Sequence, residues 1–379
     1  MRILLLYETA YPAAIGGIEL RNHALAMELA RRGHAVTLAT FGDAPPDLPA
    51  GVEHRSLGPA ARLYRGGSRR SSRQALRFAA ATARLDLAPY DAIETANMPY
   101  LHLPGLALRC RRSHRPLVVT WYEYWGPYWR SYLPPALAPF ARAFERATLH
   151  LGARLTCQSA LVARRLERGR RRDEIDVVPC GVDLRAIEQA ARTPLPCPPL
   201  VVAGRLLAHK RIDLLLRALA RLAAAPAGPL LAIVGSGPEL PRLAALAGEL
   251  GIADRVSFRP PLPDSLTLWR TMAGACIAVQ PSAREGFGLF PLEAMALGLP
   301  VVYCASPESA VGELVRDGVE GVCVAPSPAE LAASLAALLA DPESRHRFGE
   351  AGRRRAAGYD WSHAAGALES CLAALSARR

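Results

Sequence analysis

The chain has 379 residues, 51% of them hydrophobic and 6% aromatic, so Leu, Ala and Val must build its cores; this balance excludes a disordered chain and allows two domains of ordinary size. Its net charge of +12 is uneven: residues 1–192 hold 28 arginines against 17 acids (+11), and residues 193–379 hold 18 cations against 17 acids (+1). No run reaches eighteen uninterrupted apolar residues, and the opening MRILLLYETAYP is too short for a leader or a span, so a cytoplasmic protein is expected.

RILLLY (2–7) is a buried-strand signal. After the loop ETAYPAAIGG, the periodic segment IELRNHALAMELARRGH predicts a helix that stops at Gly33, and AVTLAT (35–40) is the next strand. Strand, helix and strand at this spacing form a βαβ unit, the start of a parallel sheet. DAIETA (91–96), PLVVTWY (116–122), RLTCQS (154–159) and DVVPCGV (176–182) continue it. ARTPLPCPPL (191–200) carries too much proline for a helix interior or a central strand, and predicts an interdomain linker. The alternation then restarts with LVVAGRL, PLLAIVGSG, RVSFRP, ACIAVQPS, LPVVYCAS and EGVCVAP, and the tail DWSHAAGALESCLAALSARR is one more helix. The expected architecture is α/β, with two Rossmann-like doubly wound domains facing a central cleft: 1–190, a linker at 191–199, 200–358, and a C-terminal helix at 359–379.

Three arginine clusters, at 62–78, 109–115 and 164–174, allow either attraction to an anionic surface such as lipid headgroups or an arginine-rich solvated face. Without aromatic interleaving they do not make a nucleic-acid platform. The eight cysteines, with no Cys-x-x-Cys pair, read as buried thiols, and no metal site emerges.

In open parallel sheets ligands bind beyond the carboxyl ends of the strands, so the loops there hold the candidates. Gly16 and Gly17 separate the first strand from the first helix, where backbone amides can approach an anion; a plain tight turn fits equally well. The pattern G-x-G-x-x-G is absent, so a nicotinamide cofactor is not indicated. Arg205 and Lys210, in GRLLAHKR, offer two cations to a diphosphate. Lys210 is the single lysine beside 45 arginines. In SAREGFGLFPLEAMALG, Glu285 is expected in a loop and Glu293 in the first turn of a helix starting near Pro291, with the amides of Phe287, Gly288 and Leu289 before it. Each glutamate alone suits a solvated loop or a helix cap as well as a ligand.

Gly16-Gly17-x-Glu19, GRLLAHKRIDLLLRAL, VGSGPE, VVPCGVD (177–183) and E-x7-E within PSAREGFGLFPLEAMALGLPVV together resemble the retaining GT-B glycosyltransferases of family four, in the expected order over nearly the whole chain. The resemblance implies a nucleotide-diphosphate sugar as donor and no metal or other cofactor. Arg205 and Lys210 would neutralise the diphosphate, Glu285 would bind sugar hydroxyls and Glu293 the ribose diol. Gly16, Gly17, Phe287, Gly288 and Leu289 would lie on donor phosphate or sugar, and FRPPL, with Arg259, near the base. The C-terminal helix would cross back to the first domain. Partners would be donor and acceptor, the protein acting as monomer or homodimer; the +11 of the first domain adds the expectation of contact with an anionic membrane at its inner face. Many similar proteins end the fourth strand with a histidine beside the reaction centre; here VTWYEYWGPYW places Tyr122 there. A tyrosine donates a hydrogen bond but titrates near 10, against about 6.5 for histidine. That departure keeps two alternatives open, a catalytically weakened nucleotide-sugar-binding protein and a nucleotide-sugar epimerase.

Overall fold

The computed structural model describes residues 1–60, 64–65, 69–222 and 230–376. The chain divides into two compact units, the first running to Gly181 and taking up the chain again from Trp361, the second spanning Val182–Asp360. Each is built on its own parallel sheet.

In the first unit the sheet contains β1 (Arg2–Leu6), β2 (Ala35–Thr40), β3 (Val52–Ser56), β6 (Ala92–Ala96), β7 (Leu117–Trp121), β8 (Arg154–Cys157) and β9 (Ile175–Val177), in the order β3-β2-β1-β6-β7-β8-β9. Between β3 and β6, β4 (Tyr64–Arg65) and β5 (Arg69–Arg70) pair as a small antiparallel ladder. The strands from β1 outward through β8 are almost wholly buried, which is why they read as continuous apolar runs rather than as alternation. β3 is the exception: only Val52 is buried in VEHRS, and the polar edge strand gave no sequence signal. DVVPCGV yields only the three-residue β9, because Pro179 cannot continue a ladder.

The second unit has β10 (Leu200–Ala203), β11 (Leu231–Val234), β12 (Val256–Arg259), β13 (Ile277–Gln280), β14 (Val301–Cys304) and β15 (Gly321–Val324), in the order β12-β11-β10-β13-β14-β15. Side chains alternate across this sheet into two cores: Leu200 and Val202 join one, Val201 between them the other. In both units the order reverses beside the first strand, and that point is a crevice at the strands' carboxyl ends.

The chain passes into the second unit at residue 182, ahead of the proline-rich run. The helix Leu184–Arg192 packs against the helices Ser265–Ala273 and Leu289–Leu297, and Leu195 N donates to Arg270 O (2.8 Å). The last helix, Trp361–Ser376, packs on the first helix, Gly17–Arg31. Arg32 clamps it there, donating to Glu369 Oε2 (3.1 Å) and Ser362 O (2.7 Å). All eight cysteines are unpaired thiols. Among the described residues no helix is long and apolar enough to cross a membrane.

Candidate active site

The two strands flanking the reversal in the second unit, β10 and β13, release their chains into adjoining loops. After β10 the backbone makes a one-turn 3-10 helix, Ala208–Lys210, tied to the loop after β13 where Ala283 N donates to His209 O (2.8 Å). This brings together residues 75 apart in sequence: Lys210 Nζ pairs with Glu285 Oε1. The same oxygen accepts from Gln280 Nε2, which also donates to Ser282 Oγ (3.1 Å). Glu285 Oε2 has no partner among the described residues. Arg205, Lys210, Gln280 and Ser282 line one small pocket beside these loops. The approach is close enough to demand glycine: Gly235, at φ +140°, lies against β10's exit, and a Cβ there would stand 2.0 Å from Gly204 O.

The helix that carries the second glutamate starts earlier than expected, at Leu289, because Gly288 takes a left-handed φ of +109° and turns the chain into it. Pro291 is tolerated since it still falls in the first turn, where no amide partner is lost. Glu293 therefore sits at the fifth position, not in the first turn, on a helix that is apolar nearly all round. Only 5% exposed, its carboxyl is pushed by burial up to about 7, with the Trp269 indole offsetting part of the shift. Phe287 and Gly288 lead into this helix and Leu289 opens it, and the Phe287 ring lies tilted against Tyr359 (6.0 Å between centroids, 56° between planes). Arg259 stands at the end of β12, two strands from β10, and is held by Ser257 Oγ and Pro196 O (both 3.3 Å), so it is not part of the Lys210–Glu285 cluster.

In the first unit, Gly16 precedes the first helix and Gly17 opens it, with open space at the Cβ position of Gly17. A Cβ on Gly16 would meet the carboxylate of Glu19 at 2.4 Å; Glu19 is buried there and accepts from Thr9 Oγ1 (2.7 Å). Tyr122 follows β7. Its hydroxyl accepts from Arg21 NH1 (3.4 Å), and the same nitrogen donates to Glu94 Oε1 (3.0 Å). Arg21 and Glu94 are 0% and 1% exposed. Burial pushes the Tyr122 phenol well above its ordinary range, with Arg21 offsetting part. Since Arg21 occupies a lone pair of the phenol oxygen, the O–H proton points elsewhere: Tyr122 is a neutral donor, not a base.

Sequence reasoning missed Gln280, Arg21 and Glu94. The signal was available: Gln280 and Glu94 are polar residues within buried strands, and Arg21 shares a face with Leu25 and Leu29 at helical spacing, both fully buried. A charge on a buried stripe requires a partner. The described residues contain no group of three or more His, Cys, Asp or Glu disposed to hold a metal ion.

Two Rossmann-like units with these strand orders define the GT-B fold of glycosyltransferases. The sucrose-phosphate synthase of Thermosynechococcus elongatus superposes on the chain with a TM-score of 0.81 at 24% identity, covering all of both chains. Anabaena HepE, solved with UDP and glucose, gives 0.75 at 20% identity over 99% of this chain and all of its own. In sequence, residues 15–186 match the model of Glycosyltransferase Family 4 and residues 187–355 that of Glycosyl transferases group 1. The two models follow one another along the chain, which belongs to this glycosyltransferase family. The D-inositol 3-phosphate glycosyltransferase of Nocardia farcinica is 39% identical over 241 residues, 59% of this chain and 53% of that protein. Its counterpart in Mycolicibacterium gilvum is 41% identical over 212 residues, 51% of this chain and 45% of its own length. The chain thus spans about half the length of the curated relatives it matches.

Proposed function

We propose that this glycosyltransferase takes its sugar from a nucleotide-diphosphate sugar, retains the anomeric configuration and needs no metal ion. The carrying observation is the Lys210–Glu285–Gln280 cluster beside Arg205 at the reversal point of the second sheet. It combines cations for a diphosphate with a carboxylate that keeps one oxygen open.

In that arrangement Glu285 Oε2 accepts a sugar hydroxyl, while Lys210 and Gln280 fix the carboxylate through Oε1. Negative charge grows on the diphosphate as the anomeric C–O bond breaks, and Arg205 and Lys210 stabilise it where a metal would otherwise be needed. Glu293, ionised, accepts the two ribose hydroxyls. The departing phosphate takes the acceptor's proton on the same face, so no side-chain base is required, in keeping with a Tyr122 that can only donate.

The arginine excess of the first unit favours an acceptor that bears phosphate. It can come as a small phosphorylated polyol, as the relatives' names print, or as a lipid headgroup at the inner face of the membrane.

Thermal shift with UDP-, GDP- and ADP-sugars tests donor binding, since a donor at 100 times its Kd stabilises the fold by about 2.7 kcal/mol. Lys210→Met is expected to lower turnover by about 10²–10³-fold while the fold persists. Product anomer by NMR, turnover in EDTA, and inositol phosphate against phosphatidylinositol vesicles as acceptors check the remaining elements. Tight nucleotide binding with no transfer or donor hydrolysis would leave only a binding protein.

A further inference from the structure

Nine large hydrophobic side chains are exposed among the described residues, and three of them lie within eight residues on one short element. They are Leu137 (54% exposed), Phe140 (74%) and Phe144 (37%), at the start of the helix Ala138–Thr148 in the first unit. Phe140 and Phe144 are four apart, so they stand on one helical face, with Leu137 three residues before them. The exposed Ala147 extends the same stripe.

The opposite face is fixed firmly. Glu145, fully buried, accepts from Trp125 N (2.8 Å), Gly126 N (2.7 Å), Trp129 Nε1 (3.0 Å) and Tyr100 Oη (2.8 Å). The helix therefore cannot roll its phenylalanines inward. Its phenylalanines stay on the outer side.

Charge identifies what covers it. Glu145 is the one acid between residues 129 and 147, and it is spent inside. Arg130, Arg142 and Arg146 are exposed and make no hydrogen bond or ion pair among the described residues. Elsewhere in the unit several arginines are committed to the fold. Arg109 caps the carbonyls of Thr82 and Leu85, Arg70 holds Glu8 (3.0 Å) and the Tyr7 hydroxyl (2.9 Å), and Arg171 pairs with Asp173 (3.0 Å). Arg69, part of the 62–78 cluster, has a side chain outside the described residues. Arg70's commitment removes it from a surface patch; Arg55, Arg73, Arg84 and Arg112 are exposed, but among the described residues it is the stretch 137–146 that joins three exposed large hydrophobic side chains to exposed arginines.

We propose that this element, with Leu137, Phe140 and Phe144 along one edge of its exposed side, Arg142 and Arg146 along the other, and Arg130 on the short helix Trp129–Tyr132 packed against it, docks the protein on an anionic lipid surface. Phenylalanines enter the headgroup–acyl boundary while the arginines meet lipid phosphates. A second copy of the chain fits poorly, because a two-fold contact would set six arginines together with no exposed acid on the element to meet them. The inference deepens the lipid-borne arm of the proposed acceptor but does not depend on donor chemistry.

The full-length protein is sedimented with phosphatidylcholine vesicles containing or lacking 30% phosphatidylglycerol, in low and high salt, with donor-induced thermal shift measured on vesicle-free samples. Salt-sensitive binding to the anionic vesicles is expected, at least tenfold stronger than to the neutral ones. F140S/F144S and R130S/R142S/R146S should each weaken it tenfold or more with an unchanged melting temperature and donor shift; R73S, exposed elsewhere, should not. Wild-type protein that fails to sediment, or variants that bind like it, would overturn the docking face. So would a concentration-dependent dimer abolished by F140S/F144S. A lost donor shift with vesicle binding intact would count against the donor assignment alone.

Discussion

Lys210 with Glu285 in the second unit, and Arg21 with Glu94 in the first, are both ion pairs that tie a turn or helix to a strand or the loop after it. Their surroundings differ sharply. Lys210 and Glu285 retain 23% and 12% of their side-chain exposure and leave one carboxylate oxygen unoccupied. Arg21 and Glu94 are sealed, and Arg21 Nε, Arg21 NH2 and Glu94 Oε2 find no partner inside. A pair that a ligand must enter keeps solvent and an open lone pair; a pair that only orients its neighbour, here Tyr122, carries an uncompensated desolvation penalty. The same two charges thus stay open to a ligand in one unit, as the proposed donor site requires, and form a sealed scaffold in the other.

Stability measurements put the sharpest strain on that contrast. Arg21→Met leaves Glu94 buried without its cation, and urea denaturation is expected to show a loss of about 3–5 kcal/mol. Lys210→Met, at a partly exposed pair, should cost about 1 kcal/mol or less. The double variant Arg21→Met/Glu94→Leu should recover most of the loss, because an apolar pair avoids the penalty. Equal losses at the two sites would erase the distinction between them.

The strands that build the two sheets were legible because buried parallel strands are continuous apolar runs; AVTLAT and LVVA stand almost where the sequence places them. VEHRS was not, because an edge strand with one buried residue carries no such run. Of the candidate site, Lys210 and Glu285 were recognisable as residue types in the right loops, yet their direct contact depends on β10 and β13 being neighbours. That adjacency lies in strand order, not in local pattern. Glu293 moved inward because the conformation of Gly288, rather than the proline at 291, decides where the helix begins. Arg21 escaped notice because amphipathic reading assigns charged residues to the solvent side by default, although its spacing to Leu25 and Leu29 argued otherwise.

A smaller effect separates Glu293 from both ion pairs, since it is a buried carboxyl with no cation. Its folded value of about 7 exceeds the ordinary 4.5. At pH below 4.5 it is protonated in folded and unfolded chains alike and costs nothing. As pH rises through 4.5 towards 7 the unfolded chain ionises first, so the folded state loses stability, and above 7 the cost is full. The difference of 7 − 4.5 corresponds to roughly 3 kcal/mol. Glu293→Gln should therefore match the wild type near pH 4 and exceed its stability by that order at pH 8, measured without nucleotide. If Glu293 holds the ribose diol, the same variant loses the donor-induced thermal shift, and wild-type donor binding near pH 7 releases a proton detectable by calorimetry in buffers of different ionisation enthalpy. A stability difference independent of pH would mean that Glu293 titrates in the folded protein as it does in the unfolded chain.

Gln280 tests the finest part of the comparison, whether the open pair needs its neutral third member. Its amide and the Lys210 ammonium meet on one oxygen of Glu285, and Gln280 is 4% exposed at the end of β13. Leucine there keeps the volume and removes the donor, so Glu285 can swing about Lys210 and its second oxygen loses a fixed direction. A hydrogen bond to a charged group contributes about 1.5 kcal/mol or more, close to tenfold in rate. Gln280→Leu is therefore expected to lower kcat/KM for the true donor about tenfold. Turnover of an analogue lacking the hydroxyl that Glu285 is proposed to accept should barely change, so discrimination between the two sugars falls. A uniform loss on both donors would assign Gln280 to the fold alone and leave Lys210 as the sole device that aims the carboxylate.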